Sequence, residues 1–138
     1  MNYAKAYRQV ATQTASPGQQ VLMLYDGAIG FLERALTGFQ QEDPLEYNQT
    51  IHNNIVRAQA IVQELNFALN MEAGGEMSST LQRLYQYFDR RLHESNLTKQ
   101  PGGVKEVIQR LTVLRDAWAQ MLHQKSDSGS TMALSAEA

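Results

Sequence analysis

Apolar residues along the chain recur at alternating spacings of four and three, the period that lines one face of a helix. The clearest run is Ile51, Ile55, Ala58, Val62, Leu65 and Leu69, which reads as the seam of a bundle helix from about Pro44 to Met71. Val21, Tyr25, Ala28, Leu32, Ala35 and Phe39 give the core face of an earlier helix, from about Pro17 to Phe39. Met77, Leu81, Leu84, Phe88 and Leu92 stripe a third helix over about Glu76 to Asn96. Val104, Val107, Leu111, Leu114, Trp118 and Met121 stripe a fourth that runs to about Gln124.

Breaks fall between these runs. Ser16-Pro17-Gly18-Gln19 places a capping serine, a proline in the first helical position and a glutamine three residues on, which together predict a helix start. The polar stretch Gln40 to Asp43 leads to Pro44, Gly74-Gly75 ends the second run, and Pro101-Gly102-Gly103 punctuates the third and fourth. Helices of about 20 to 28 residues span roughly 30 to 40 Å, and short connections force neighbours to run antiparallel. The expectation is an all-α, up-down-up-down antiparallel four-helix bundle over residues 16–124. Residues 1–15 form a short N-terminal segment packing on it, with Tyr3, Tyr7 and Val10 on one side of a short helix. Past Lys125 the chain is rich in Ser, Gly and Ala without periodicity, and a disordered tail over 125–138 is expected.

Composition narrows the function. The chain has 138 residues, 43% hydrophobic and 19% charged, and its formal charge of −2 is not that of a nucleic-acid binder. Arg83, Arg90 and Arg91 cluster, but Asp89 and Glu94 lie among them, which reads as a solvated mixed-charge face. With no cysteine there is no thiolate chemistry. No secretory leader pattern or membrane-length apolar stretch occurs, so a cytoplasmic protein without direct membrane insertion is expected.

Catalytic and metal patterns are missing as well. A carboxylate-bridged di-metal bundle needs Glu-x-x-His pairs. Here the residues three before His52, His93 and His123 are Gln49, Arg90 and Gln120. No phosphate loop, dinucleotide fingerprint or nucleophile elbow appears, so no enzyme activity, cofactor or metal is expected.

The informative residues are the apolar ones beyond the seams. At about 100° per residue, Val56, Ala60, Phe67 and Met71 fall on the side of the second helix opposite its seam. A stripe of that kind suits a groove for a partner's amphipathic segment. On the first helix, Met23 points away from the core face, close to the line of Gly27, Gly30 and Arg34. Two glycines on one helical face predict close approach of another backbone, from this chain or a partner. Outward apolar faces also fit an alternative, a structural bundle that homodimerises.

Several stretches are more specific. Thr14-Ala15-Ser16-Pro17-Gly18-Gln19, followed by Val21-Leu22-Met23-Leu24-Tyr25-Asp26-Gly27-Ala28-Ile29, resembles the opening of a flagellar secretion chaperone of the FliS type. The resemblance continues through Asn54-Ile55-Val56-Arg57-Ala58-Gln59, Gly74-Gly75-Glu76, Arg90-Arg91-Leu92 and Ala117-Trp118, with Gln86 and Ser95 as departures. It implies a cytoplasmic export chaperone without ATPase activity. Such a protein binds the C-terminal helical segment of flagellin, prevents premature polymerisation and helps present it to a membrane export gate protein. Met23, Gly27, Val56, Ala60, Phe67 and Met71 are then the candidate cargo-binding residues. Tyr3, Tyr7 and Val10 are candidates for an N-terminal cap, and Tyr7 matches the family's aromatic at the gate contact.

Overall fold

In the computed structural model the backbone is described for residues 3–5, 16–69 and 71–137. Side chains are described for the same residues except 71–73 and those beyond 125. Four long helices follow in order: α1 (Pro17–Gly38), α2 (Pro44–Phe67), α3 (Met71–Thr98) and α4 (Gly102–Glu137). Residues 3–5 form a helical turn ahead of them. The expected all-α bundle is borne out.

The start of α1 is built as its sequence predicts. The Ser16 hydroxyl accepts from the Gln19 backbone N–H at 3.2 Å, while the Gln19 side chain accepts from the Ser16 N–H at 3.4 Å. That capping box satisfies two backbone donors that the first turn leaves free. Asp43 caps α2 in the same manner, accepting from the Glu46 N–H at 3.0 Å, with Pro44 pre-set in the first turn.

α1 packs against α2 and α4, and α3 packs against α2 and α4. The cross-helix contacts fix the directions. Gly38, at the end of α1, lies against Ile51 near the start of α2. Gln59 of α2 bonds to Asp89 of α3, and His52 to Asn96. Gly18 at the start of α1 accepts a 2.8 Å hydrogen bond from the Trp118 indole late in α4, and Asp26 pairs with Arg115 at 2.7 Å. Each neighbour therefore runs antiparallel. α3 is clamped to α4 by Glu106, which accepts from Tyr87 at 2.6 Å and Arg91 at 2.9 Å and also pairs with Arg110 at 3.1 Å. Those hydrogen bonds from Tyr87 and Arg91 hold the Glu106 carboxyl below its ordinary pKa.

The core contains Leu24, Tyr25, Ala28, Leu32 and Ala35 of α1 with Ile51, Ile55, Ala58, Ile61, Val62 and Leu65 of α2. Phe88 and Leu92 of α3 meet Val104, Val107 and Leu111 of α4 there. The seams of α1 and α2 are thus the ones their periodicity predicts.

Elsewhere the structure corrects the expected boundaries and stripes. α2 stops at Phe67, where the Ala68 N–H turns back to the Glu64 carbonyl, so Met71 opens α3 and does not extend the outer stripe of α2. The Gly74-Gly75 pair lies inside α3, with Gly75 at φ 53° breaking its first turns. Glycine tolerates that left-handed conformation because it has no Cβ. After the break the inward line of α3 is Ser78, Tyr85, Phe88, Leu92 and Ser95. Met77, expected on the buried stripe, is 71% exposed because Ser78 takes the inward position. In α4 the line runs through Trp118 as expected but continues to Leu122, against Gly18, and Met121 is left 46% exposed. The helical ladder of α4 continues past the expected Gln124 boundary. It runs to Glu137, through the stretch where the composition predicts a tail.

Candidate functional site

Met23, Gly27 and Phe31 follow one another at spacings of four along α1 and so share a side. Arg57 and Ala60 share a side of α2, with Val56 next to them. The two sides meet where the N-terminal turn lands. Ala4 is buried in the core cluster, and the Tyr3 ring packs edge-on against Phe31 with centroids 6.1 Å apart. The Arg57 guanidinium lies 4.0 Å from the centre of the Tyr3 ring and donates to the Tyr3 hydroxyl at 2.8 Å. Arg34 covers the Phe31 ring at 4.5 Å. Cation–π contacts of this kind hold best when partly shielded from water.

Beyond the turn the same pair of helices opens into an apolar cleft of ≈ 280 Å³, lined by Pro17, Gln20, Val21 and Leu24 of α1 with Glu64, Phe67 and Ala68 at the end of α2. Phe67 forms its outer edge and is 70% exposed. An exposed phenylalanine beside an open apolar cleft holds surface that a partner would remove from water.

The residues singled out from the sequence fall into three groups. Met23 is half-buried, Gly27 buried, Ala60 half-buried, Val56 43% exposed, and all sit on or beside the face that carries the N-terminal turn. Phe67 lies at the far end of that face. Tyr7 and Val10 lie outside the described residues, as does the Met71 side chain. Of the two glycines, Gly27 is buried. Gly30 differs: among the described residues a Cβ there would meet only the Arg34 guanidinium, at 3.8 Å.

Sequence reasoning missed Phe31 and Arg57 as parts of this face. Their signal is present: an aromatic on the first helix and a long cation on the second, with a tyrosine in the N-terminal segment to join them. It also missed a second apolar cleft of ≈ 520 Å³ between α3 and α4, lined by Met77, Leu81, Leu84 and Leu114 with Glu76 and Thr80. Leu81, Leu84 and Leu114 pack partly buried against the core as their periodicity predicts, while also lining this cleft, and Met77 alone of the four is exposed.

Among the described residues no three His, Asp or Glu side chains converge as a metal site. No helix of the described residues is long and apolar enough to cross a membrane.

Comparison with known proteins gives the lineage. The family model described as flagellar protein FliS matches residues 1–125. The chain belongs to the FliS family. It is 37% identical over 120 residues to the flagellar secretion chaperone FliS of Bacillus subtilis, covering 87% of this chain and 86% of that protein. It is 36% identical over 121 residues to the flagellar secretion chaperone FliS of Salmonella typhimurium, covering 85% of this chain and 87% of the relative. Pseudomonas aeruginosa FliSB, also described as a flagellar secretion chaperone, is 29% identical over 127 residues. FliS is a family of chaperones and not of enzymes, and membership implies a partner connected with flagellar export.

Proposed function

We propose that this chain is a cytoplasmic export chaperone that holds the C-terminal helical segment of flagellin on the α1–α2 face. The bound segment is kept from filament assembly until the chaperone brings it to the flagellar export gate. The observation that carries this reading is the exposed Phe67 beside the α1–α2 cleft, on the same pair of helices that holds the N-terminal turn. An amphipathic segment gains affinity by burying one apolar stripe in such a groove and gives up its own flexibility in return.

In this reading the N-terminal segment around Tyr3, Tyr7 and Val10 covers part of the groove in the free protein and moves aside when cargo arrives. Tyr7 then serves the gate contact. A homodimer is the second reading, and the α3–α4 cleft around Met77 favours it. Light scattering of the purified chain with and without flagellin separates the two.

The direct test is Phe67→Asp. Phe67 is largely in water, so the variant keeps its helical content by circular dichroism, apart from a few tenths of a kcal/mol for an acid near a helix C-terminus. Titration calorimetry against monomeric flagellin is expected to show about a tenfold or greater loss of affinity, the worth of one well-buried aromatic anchor. Unchanged affinity removes this face from the cargo site.

A further inference from the structure

Arg57 is a half-buried cation in the middle of α2, and among the described residues it makes no ion pair. Its company is the Tyr3 ring and hydroxyl, with Phe31 at 5.8 Å. Arg34, an exposed cation on the other flank of Phe31, likewise has no carboxylate partner among the described residues. The other arginines of the helical interfaces differ. Arg91 and Arg110 share Glu106, and Arg115 pairs with Asp26. A guanidinium fork that is partly desolvated and, among the described residues, hydrogen-bonds only a phenol hydroxyl has capacity for a planar, bidentate acceptor.

We infer that Arg57 is the polar specificity element of the groove. When Tyr3 leaves, the Arg57 guanidinium takes an Asp or Glu side chain of the incoming cargo helix, flanked by an apolar residue that replaces the Tyr3 ring on Phe31. The resident occupant supports a side chain in preference to a chain end. Tyr3 reaches Arg57 with its side chain, and its own backbone passes on to Ala4, which is buried beside it. Arg34 at the rim adds attraction to the same acid at longer range. This inference rests on the cargo reading above and adds to it a residue and a chemistry.

Two substitutions have opposite expected signs, which separates this role from a merely structural one. Tyr3→Ala removes the competitor and leaves the cation, so affinity for monomeric flagellin rises in titration calorimetry. Arg57→Gln also loosens Tyr3. If Arg57 were only the latch for the N-terminal segment, that variant would bind flagellin more tightly as well. The inference requires the reverse: Arg57→Gln lowers affinity at least about tenfold, the scale of a partly buried charge-assisted hydrogen bond. The loss persists when Arg57→Gln is combined with Tyr3→Ala, and Arg57→Lys recovers part of it because charge returns without the fork.

On the cargo side, one of the Asp→Asn or Glu→Gln changes in the flagellin C-terminal segment reproduces the loss and is not additive with Arg57→Gln. Equal or tighter binding by Arg57→Gln overturns the inference while leaving the cargo reading intact. So does full additivity with every acid-to-amide change, or a loss reproduced only by amidating the flagellin chain end. Failure of the unaltered chain to bind flagellin overturns both.

Discussion

Gly103→Ala will destabilise the protein severely, while the same change at the neighbouring Gly102 will be tolerated. A Cβ at Gly103 would stand 2.6 Å from the Arg91 backbone carbonyl oxygen and would also collide with the Ser95 hydroxyl. Both atoms belong to α3, and a carbonyl in a helical ladder cannot swing aside. The start of α4 would have to move away from α3, straining the Glu106 clamp with Tyr87 and Arg91 and opening the packing of Val104. Overpacking of this kind costs about 2 kcal/mol or more. For a chain of this size that lowers Tm by about 6 °C or more. At Gly102 the nearest atom to a Cβ is the Arg91 guanidinium at 4.0 Å, which is ordinary contact with a flexible group. Thermal unfolding of the two variants side by side checks the claim, and equal Tm values would rule out close helix approach as the reason for Gly103.

That contrast marks where sequence patterning stops being informative. Hydrophobic spacing locates helices through residues that are large and apolar, so the α1 and α2 seams were legible from Val21 to Phe39 and from Ile51 to Leu69. α3 is different. Its inward line is carried by Ser78, Tyr85 and Ser95 as much as by Phe88 and Leu92. Ser95 is buried because the α4 backbone at Gly103 comes close, and a period count scores serine as polar. The same count reads Gly102-Gly103 as a chain break, although only Gly103 meets α3 tightly. Met77 was misplaced for the complementary reason: methionine scores as core, but the break at Gly75 resets the helix so that Ser78 turns inward. At the candidate site, helical arithmetic found the exposed apolar positions Val56 and Phe67, whereas Ala60, on the same line, packs partly buried against the core. It could not find the Tyr3–Phe31–Arg57 contact, because those residues meet across elements far apart in the chain and no local period records the meeting.

The Tyr25–Tyr85 pair should make stability fall steeply in alkali. Tyr25 on α1 and Tyr85 on α3 are both buried, and their hydroxyl oxygens lie 2.5 Å apart across the bundle interior. One hydroxyl donates to the other, and each spares its partner the penalty of a buried polar group left unpaired. Burial raises the pKa of both phenols. At Tyr85 the neighbouring Tyr25 raises it further, whereas at Tyr25 the hydrogen bond with Tyr85 offsets part of the rise. The folded chain therefore keeps both neutral at pH values where an unfolded tyrosine, with a pKa of about 10, has begun to ionise.

The stabilisation is fully present below about pH 10 and drains away as pH rises above it, by at most about 1.4 kcal/mol per pH unit for each tyrosine. Urea unfolding between pH 8 and pH 11.5 should show a falling midpoint in the native sequence and a much flatter one in the double variant Tyr25→Phe/Tyr85→Phe. At neutral pH the ranking changes. Each single Phe variant strands one buried hydroxyl and costs about 1–2 kcal/mol, whereas the double variant strands none and costs less than the sum of the two. Equal alkaline slopes for the native and double-variant chains would mean that the phenols reach water before they ionise. Strict additivity at pH 7 would mean that the hydroxyls do not depend on each other.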